Sequence, residues 1–82
     1  MAKKNGAIVW TFTQDGWTIN IHQMRGRYLL KAKWLEVLGE LPDGSELVGI
    51  HHDAKWLLSD DINAAINEGI GVATEMIDKF YE

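Results

Sequence analysis

Apolar and polar positions alternate with period two through the first part of the chain. Ile8, Trp10 and Phe12 alternate with Val9, Thr11 and Thr13. β-Branched and aromatic residues in this rhythm predict a strand over Ala7–Thr13. Gln14-Asp15-Gly16 follows, and Asp-Gly is a hairpin turn signal. From Trp17 to His22 the alternation is clean: Trp17, Ile19 and Ile21 on one face, Thr18, Asn20 and His22 on the other. Met24-Arg25-Gly26 supplies a second turn.

Residues 27–38 admit two readings. As a strand, Tyr28, Leu30, Ala32 and Trp34 face the core, while Arg25, Arg27, Lys31 and Lys33 share the opposite face with Leu29. As a helix, Leu30, Trp34 and Leu38 stack at i, i+4 and i+8, and Gly39 and Pro42 would end it. The sorting of charge by parity favours a strand from Arg27 to Trp34. Pro42-Asp43-Gly44-Ser45 reads as a turn. Glu46–His51 reads as a short strand in which Gly49 marks a bulge or a close approach. His52-Asp53-Ala54 turns the chain, and Lys55–Leu58 is a last short strand or a connector. Ala-Lys-Trp-Leu occurs at 32–35 and again at 54–57, but nothing around it matches.

The period changes after Ser59, which reads as an N-cap with Asp60 and Asp61 in the first turn. Ile62, Ala65, Ile66, Ala73, Met76, Ile77 and Phe80 follow helical spacing. One amphipathic helix is therefore predicted from about Asp60 to Tyr81. Gly69 and Gly71 permit a kink, a break or close packing on the sheet.

The expected fold is α+β: a small antiparallel sheet of three to four strands, with the C-terminal amphipathic helix packed on one face. The expected core is Ile8, Trp10, Phe12, Trp17, Ile19, Ile21, Tyr28, Leu30, Trp34, Val48, Ile50, Ile62, Ile66, Ala73, Met76, Ile77 and Phe80. An antiparallel sheet tolerates one wet face. That face would carry Thr11, Thr13, Thr18, Asn20 and His22 beside the basic residues.

Length and composition bound the rest. The 82 residues suffice for a single domain, 1–82, with residues 1–6 as a flexible basic arm. There is no cysteine, so there is no disulfide framework and no thiolate ligand or nucleophile. No apolar run approaches a membrane span of about 18 residues, and a signal peptide is not expected. A cytoplasmic protein with no membrane partner is the expectation.

The net charge of −4 hides a split. Up to Trp34 the positive residues Lys3, Lys4, Arg25, Arg27, Lys31 and Lys33 face only Asp15. From Leu35 onward only Lys55 and Lys79 are positive against eleven carboxylates, among them Asp60, Asp61, Glu68, Glu75 and Asp78. Such asymmetry suggests a half that faces nucleic acid or an acidic surface that meets a basic partner.

Catalytic signals are few. His51-His52-Asp53, joined by His22, is the one cluster with metal-ligand chemistry, though it lacks the helical spacing of an H-x-x-x-H pair. Ser45 and Ser59 lack the context of a nucleophile elbow. Gly69-Ile70-Gly71 sits inside a helical pattern and is not a dinucleotide fingerprint. A non-enzymatic protein without cofactor or metal is expected.

In outline, the strand–turn–strand opening and the late acidic helix are similar to HicB-type antitoxins. The middle of the chain departs from that pattern and no diagnostic residue matches, so the likeness assigns no family.

Two functions follow. The first is an inhibitor, encoded by a phage or mobile element and similar in size and charge to anti-CRISPR proteins. It would place Asp60, Asp61, Glu68, Glu75 and Asp78 in the basic groove of a host nucleic-acid-handling protein. The alternative is a small nucleic-acid-binding domain using Arg25, Arg27, Lys31 and Lys33 on the open sheet face. A homodimer is compatible with either.

Overall fold

The computed structural model describes residues 6–82, so the basic arm expected at residues 1–6 lies, apart from Gly6, outside the described residues. The chain forms β1 (Ala7–Gln14), β2 (Trp17–Met24), β3 (Arg27–Glu40), β4 (Glu46–Trp56) and α1 (Ile62–Phe80). The strands make one antiparallel sheet in the order β1-β2-β3-β4, and the helix lies on one face of it against β2 and β3. This is the α+β architecture that the alternation implied.

The two tight hairpins rest on left-handed backbone. Asp15 and Gly16 have φ of 52° and 81°, and Arg25 and Gly26 have φ of 49° and 79°. Two consecutive residues of positive φ match the right-handed twist of the flanking strands. The third hairpin closes through Leu41–Ser45, where the Leu41 amide donates to the Ser45 carbonyl. The Asp43 carboxylate accepts from the Ser45 amide and hydroxyl, and these bonds hold its pKa below the ordinary value.

Residues 27–38 are strand, and β3 continues to Glu40, well past the expected end at Trp34. β4 likewise runs on through His52–Trp56 instead of turning. The β3–β4 hairpin therefore projects beyond the rest of the sheet, and the molecule measures 49 × 34 × 15 Å. Its radius of gyration is 15.3 Å, against about 12 Å for a compact chain of this length.

The core lies between sheet and helix. Trp17, Ile19, Ile21, Tyr28, Leu30, Ala32 and Trp34 meet Leu57, Ala65, Ala73 and Ile77. Trp17 and Trp34 stack with ring centroids 3.6 Å apart, and Phe80 meets both edge-on. Gly69 is buried where α1 crosses the sheet: a Cβ there would lie 2.8 Å from Ile21 Cδ1. The glycine serves close packing, and the helix continues unbroken through it.

Several expectations need correction. The helix begins at Ile62 with Asp61 as N-cap, its carboxylate accepting from the Ala64 amide at 3.1 Å. Ser59 is not the cap, because its amide and hydroxyl are taken by Glu68. Ile8 is exposed because the register shifts between Ile8 and Trp10, which pairs Ile8 with His22 on the wet face. Trp10 and Ile62 are also exposed. Val48 and Ile50 are exposed for a different reason. They pair with Val37 and Leu35, which face away from the helix. The helix-facing side of β4 carries His51, Asp53 and Lys55 instead.

Candidate functional site

The sheet register orders the face opposite the helix into rows. Thr13, Thr18, Lys33 and His52 lie abreast across β1 to β4, followed by Thr11, Asn20, Lys31 and Ala54. The next row is Ile8, His22, Leu29 and Trp56, with Arg27 beyond it opposite Met24. No residue of these rows is acidic. Alternate residues of a strand are about 7 Å apart, so Lys31 and Lys33 are neighbouring charges and Arg27 stands further along the same line. All three are exposed, and among the described residues none of them forms an ion pair.

Trp56 is the residue that sequence reasoning left out of this face. It is 43% exposed, and the Arg27 guanidinium lies over its ring at 4.4 Å from the centroid. The signal was present in the alternation Val48, Ile50, His52, Ala54, Trp56, but it carries only if β4 is extended to its full length. Arg25 is exposed in the β2–β3 turn, at the end of the sheet and not within the rows.

Beyond the basic rows, the open face turns apolar. Leu35 pairs with Ile50 and Val37 with Val48, all exposed. The reverse side of the projecting hairpin adds exposed Leu38, Leu41 and Leu47. The face therefore combines a basic strip with an apolar extension.

The acidic residues are more dispersed. Asp61 is committed to capping. Glu68 clamps the 58–59 segment to the helix, accepting from the Leu58 amide at 2.8 Å, the Ser59 amide at 2.9 Å and the Ser59 hydroxyl at 2.8 Å. Desolvation works against its charge, but these donors and the nearby Lys55 outweigh it, and its pKa is held below the ordinary glutamate value. Asp60, Glu75 and Asp78 are exposed, and Glu75 and Asp78 border a shallow groove with Lys79 and Glu82.

The histidines do not form a ligand set. His51 and Asp53 share the helix-facing side of β4, whereas His22 lies on the opposite face. Nδ1 of His22 donates to the Gly6 carbonyl at 2.6 Å. His51 stacks on Trp34 at 5.4 Å between centroids, with Nε2 2.9 Å from a Glu36 carboxylate oxygen. Among the described residues there is no cluster of three or more metal-ligating side chains.

A groove of about 390 Å³ runs between α1 and β4, over Trp17 and Trp34 and between Asp53, Lys55, Glu75 and Lys79. Its rim carries balanced charge and it lies on the side of the sheet away from the basic rows.

No family model, curated protein or solved structure matches this chain. The geometry therefore carries the functional reading. No helix is long and apolar enough to cross a membrane among the described residues.

Proposed function

We propose that the open face of the sheet binds single-stranded nucleic acid. The observation that carries this reading is the set of rows from Thr13 to Trp56, in which Arg27, Lys31, Lys33 and the exposed Trp56 share one surface with no carboxylate among them. Lysine and arginine on such a surface attract phosphates by releasing condensed counterions. Trp56 and the planar Arg27 guanidinium give unpaired bases a stacking surface, at about 1–3 kcal/mol per base. A duplex is the poorer fit. Four strands span about 14 Å from first to last axis, whereas the major groove, about 12 Å wide, admits a helix or a two-stranded ribbon. Asn20, Thr18 and His52 beside the lysines offer hydrogen bonds to phosphate or base edges.

The acidic-helix reading, an inhibitor of a host nucleic-acid-handling protein in the manner of anti-CRISPR proteins, is second. It is favoured by the grouping of Glu75, Asp78 and Glu82 at one exposed groove. It is weakened by the internal duties of Asp61 and Glu68.

Fluorescence anisotropy with labelled single-stranded DNA, RNA and duplex, at low and moderate salt, tests the proposal. Saturable binding to single strands that falls steeply with salt is expected. Lys31→Glu with Lys33→Glu should weaken it at least tenfold, while Glu75→Lys with Asp78→Lys should not weaken it. Absence of single-strand binding at low salt overturns the reading.

A further inference from the structure

We infer that two copies of this chain pair antiparallel through the outer edge of β4, joining their sheets into one of eight strands. The two edges of the sheet differ. β1 is short and carries a bulge between Ile8 and Trp10, a device that blunts edges. β4 is regular for 11 residues and contains no proline. The bulge in its hairpin lies on β3, between Val37 and Gly39.

The outward groups of that edge follow from period two. The Leu57 amide, just past β4, donates inward to the Tyr28 carbonyl. The amides of Val48, Ile50, His52, Ala54 and Trp56 therefore face outward. Ala54 confirms the parity, since its amide takes the carboxylate of its own neighbour Asp53 at 2.8 Å. The rest of the row has no backbone partner on that side among the described residues.

A second copy supplies the complementary row. An antiparallel pair that keeps the open faces together must be centred on a residue, and centring on His52 gives a consistent set of neighbours. Ile50 then lies opposite the partner's Ala54, and Val48 opposite the partner's Trp56. On the other face His51 lies opposite the partner's Asp53, and no carboxylate meets a carboxylate across the seam. The exposed apolar row Val37–Val48 would continue directly into the partner's Trp56 and the partner's Leu29, and the row Leu35–Ile50 into the partner's Ala54 and the partner's Lys31. Two-fold symmetry makes each of these contacts twice, as an isologous interface requires. The Asp53 carboxylate would yield the Ala54 amide to the partner's Ile50 carbonyl and become free to meet the partner's His51.

The inference stands apart from nucleic-acid binding, because its test reads assembly alone. Sedimentation velocity of the full chain should show a species twice the 9.3 kDa of one copy. In hydrogen-bonded antiparallel pairs the facing Cα atoms are about 5.5 Å apart, within disulfide reach. The chain has no cysteine, so His52→Cys should cross-link rapidly on mild oxidation, and Thr13→Cys, near the opposite edge, should not. His52→Pro removes an amide that faces outward, which an edge strand tolerates, and should give a folded monomer by circular dichroism and sedimentation. A monomeric wild-type chain, equal cross-linking at 52 and 13, or a His52→Pro protein that is folded and still dimeric would each overturn the inference. The cysteine comparison decides the matter even if His52→Pro does not fold.

Discussion

At one end of β3, Tyr28, Leu30, Ala32 and Trp34 are buried beneath α1. At the other, Leu35 and Leu38 are both 59% exposed and Val37 is 57% exposed. The two stretches belong to one strand and are similarly apolar, yet only the first joins the core. Leu35 and Val37 are exposed because they face away from the helix. For Leu38, on the helix-facing side, length explains the difference. A helix of 19 residues reaches about 28 Å, whereas a strand of 14 residues reaches about 47 Å. The helix stays over β2 and β3 near the Trp17–Trp34 stack and cannot cover the hairpin's far end. Strand propensity and register thus form the arm, but burial does not hold it. Its apolar residues are available to a partner, not consumed by folding.

This contrast predicts a steep gradient of mutational cost. Trp17→Ala should remove about 3–5 kcal/mol of stability, as other large core truncations do. Leu38→Ala on the arm should change it by less than about 0.5 kcal/mol. Chemical denaturation of both variants checks the pair, and similar losses would show that the arm belongs to the cooperative core.

The next effect concerns the helix itself. Gly69→Val adds bulk against buried Ile21 and should cost about 1–3 kcal/mol. At Gly71 a Cβ meets nothing within 4 Å, so Gly71→Ala should instead stabilise by up to about 1 kcal/mol. Thermal melts should move in opposite directions for the two glycines.

The smallest effect is at the helix's attachment to the segment after β4. Glu68→Gln should cost about 1 kcal/mol near neutral pH, comparable to a lost helix cap. The folded pKa of Glu68 is lowered, so its stabilisation is fully present above the ordinary glutamate value of 4.5 and is lost as pH falls through the lower folded value. The deficit of Glu68→Gln should therefore shrink in acid. A deficit independent of pH would assign the loss to packing instead.

Much of the fold was legible in the sequence because its signals are local. Asp15-Gly16 and the Trp17–His22 alternation fix the first hairpin, and the parity of Arg27, Lys31 and Lys33 marks β3 as a strand. Helical spacing from Ile62 to Phe80 fixes α1. Other features depended on information from distant parts of the chain. A one-residue bulge put Ile8 on the wet face. The orientation of Val48 and Ile50 follows from their pairing with Val37 and Leu35 of β3. Asp61 displaced Ser59 as the cap because Glu68, nine residues away from Ser59, claims the serine. The basic line of the candidate site was readable along β3, but its aromatic member, Trp56, needed the register across strands.

The stacked indoles have a use outside folding energetics. Trp17 and Trp34 lie nearly parallel, at 7° and 3.6 Å between centroids. Two chromophores this close share their excited states, so the pair should give an exciton couplet in circular dichroism. Phe80 of α1 packs against both rings, and undocking of the helix would loosen the pair and collapse that signal. The protein thus carries an intrinsic optical gauge of helix docking, readable without any added label.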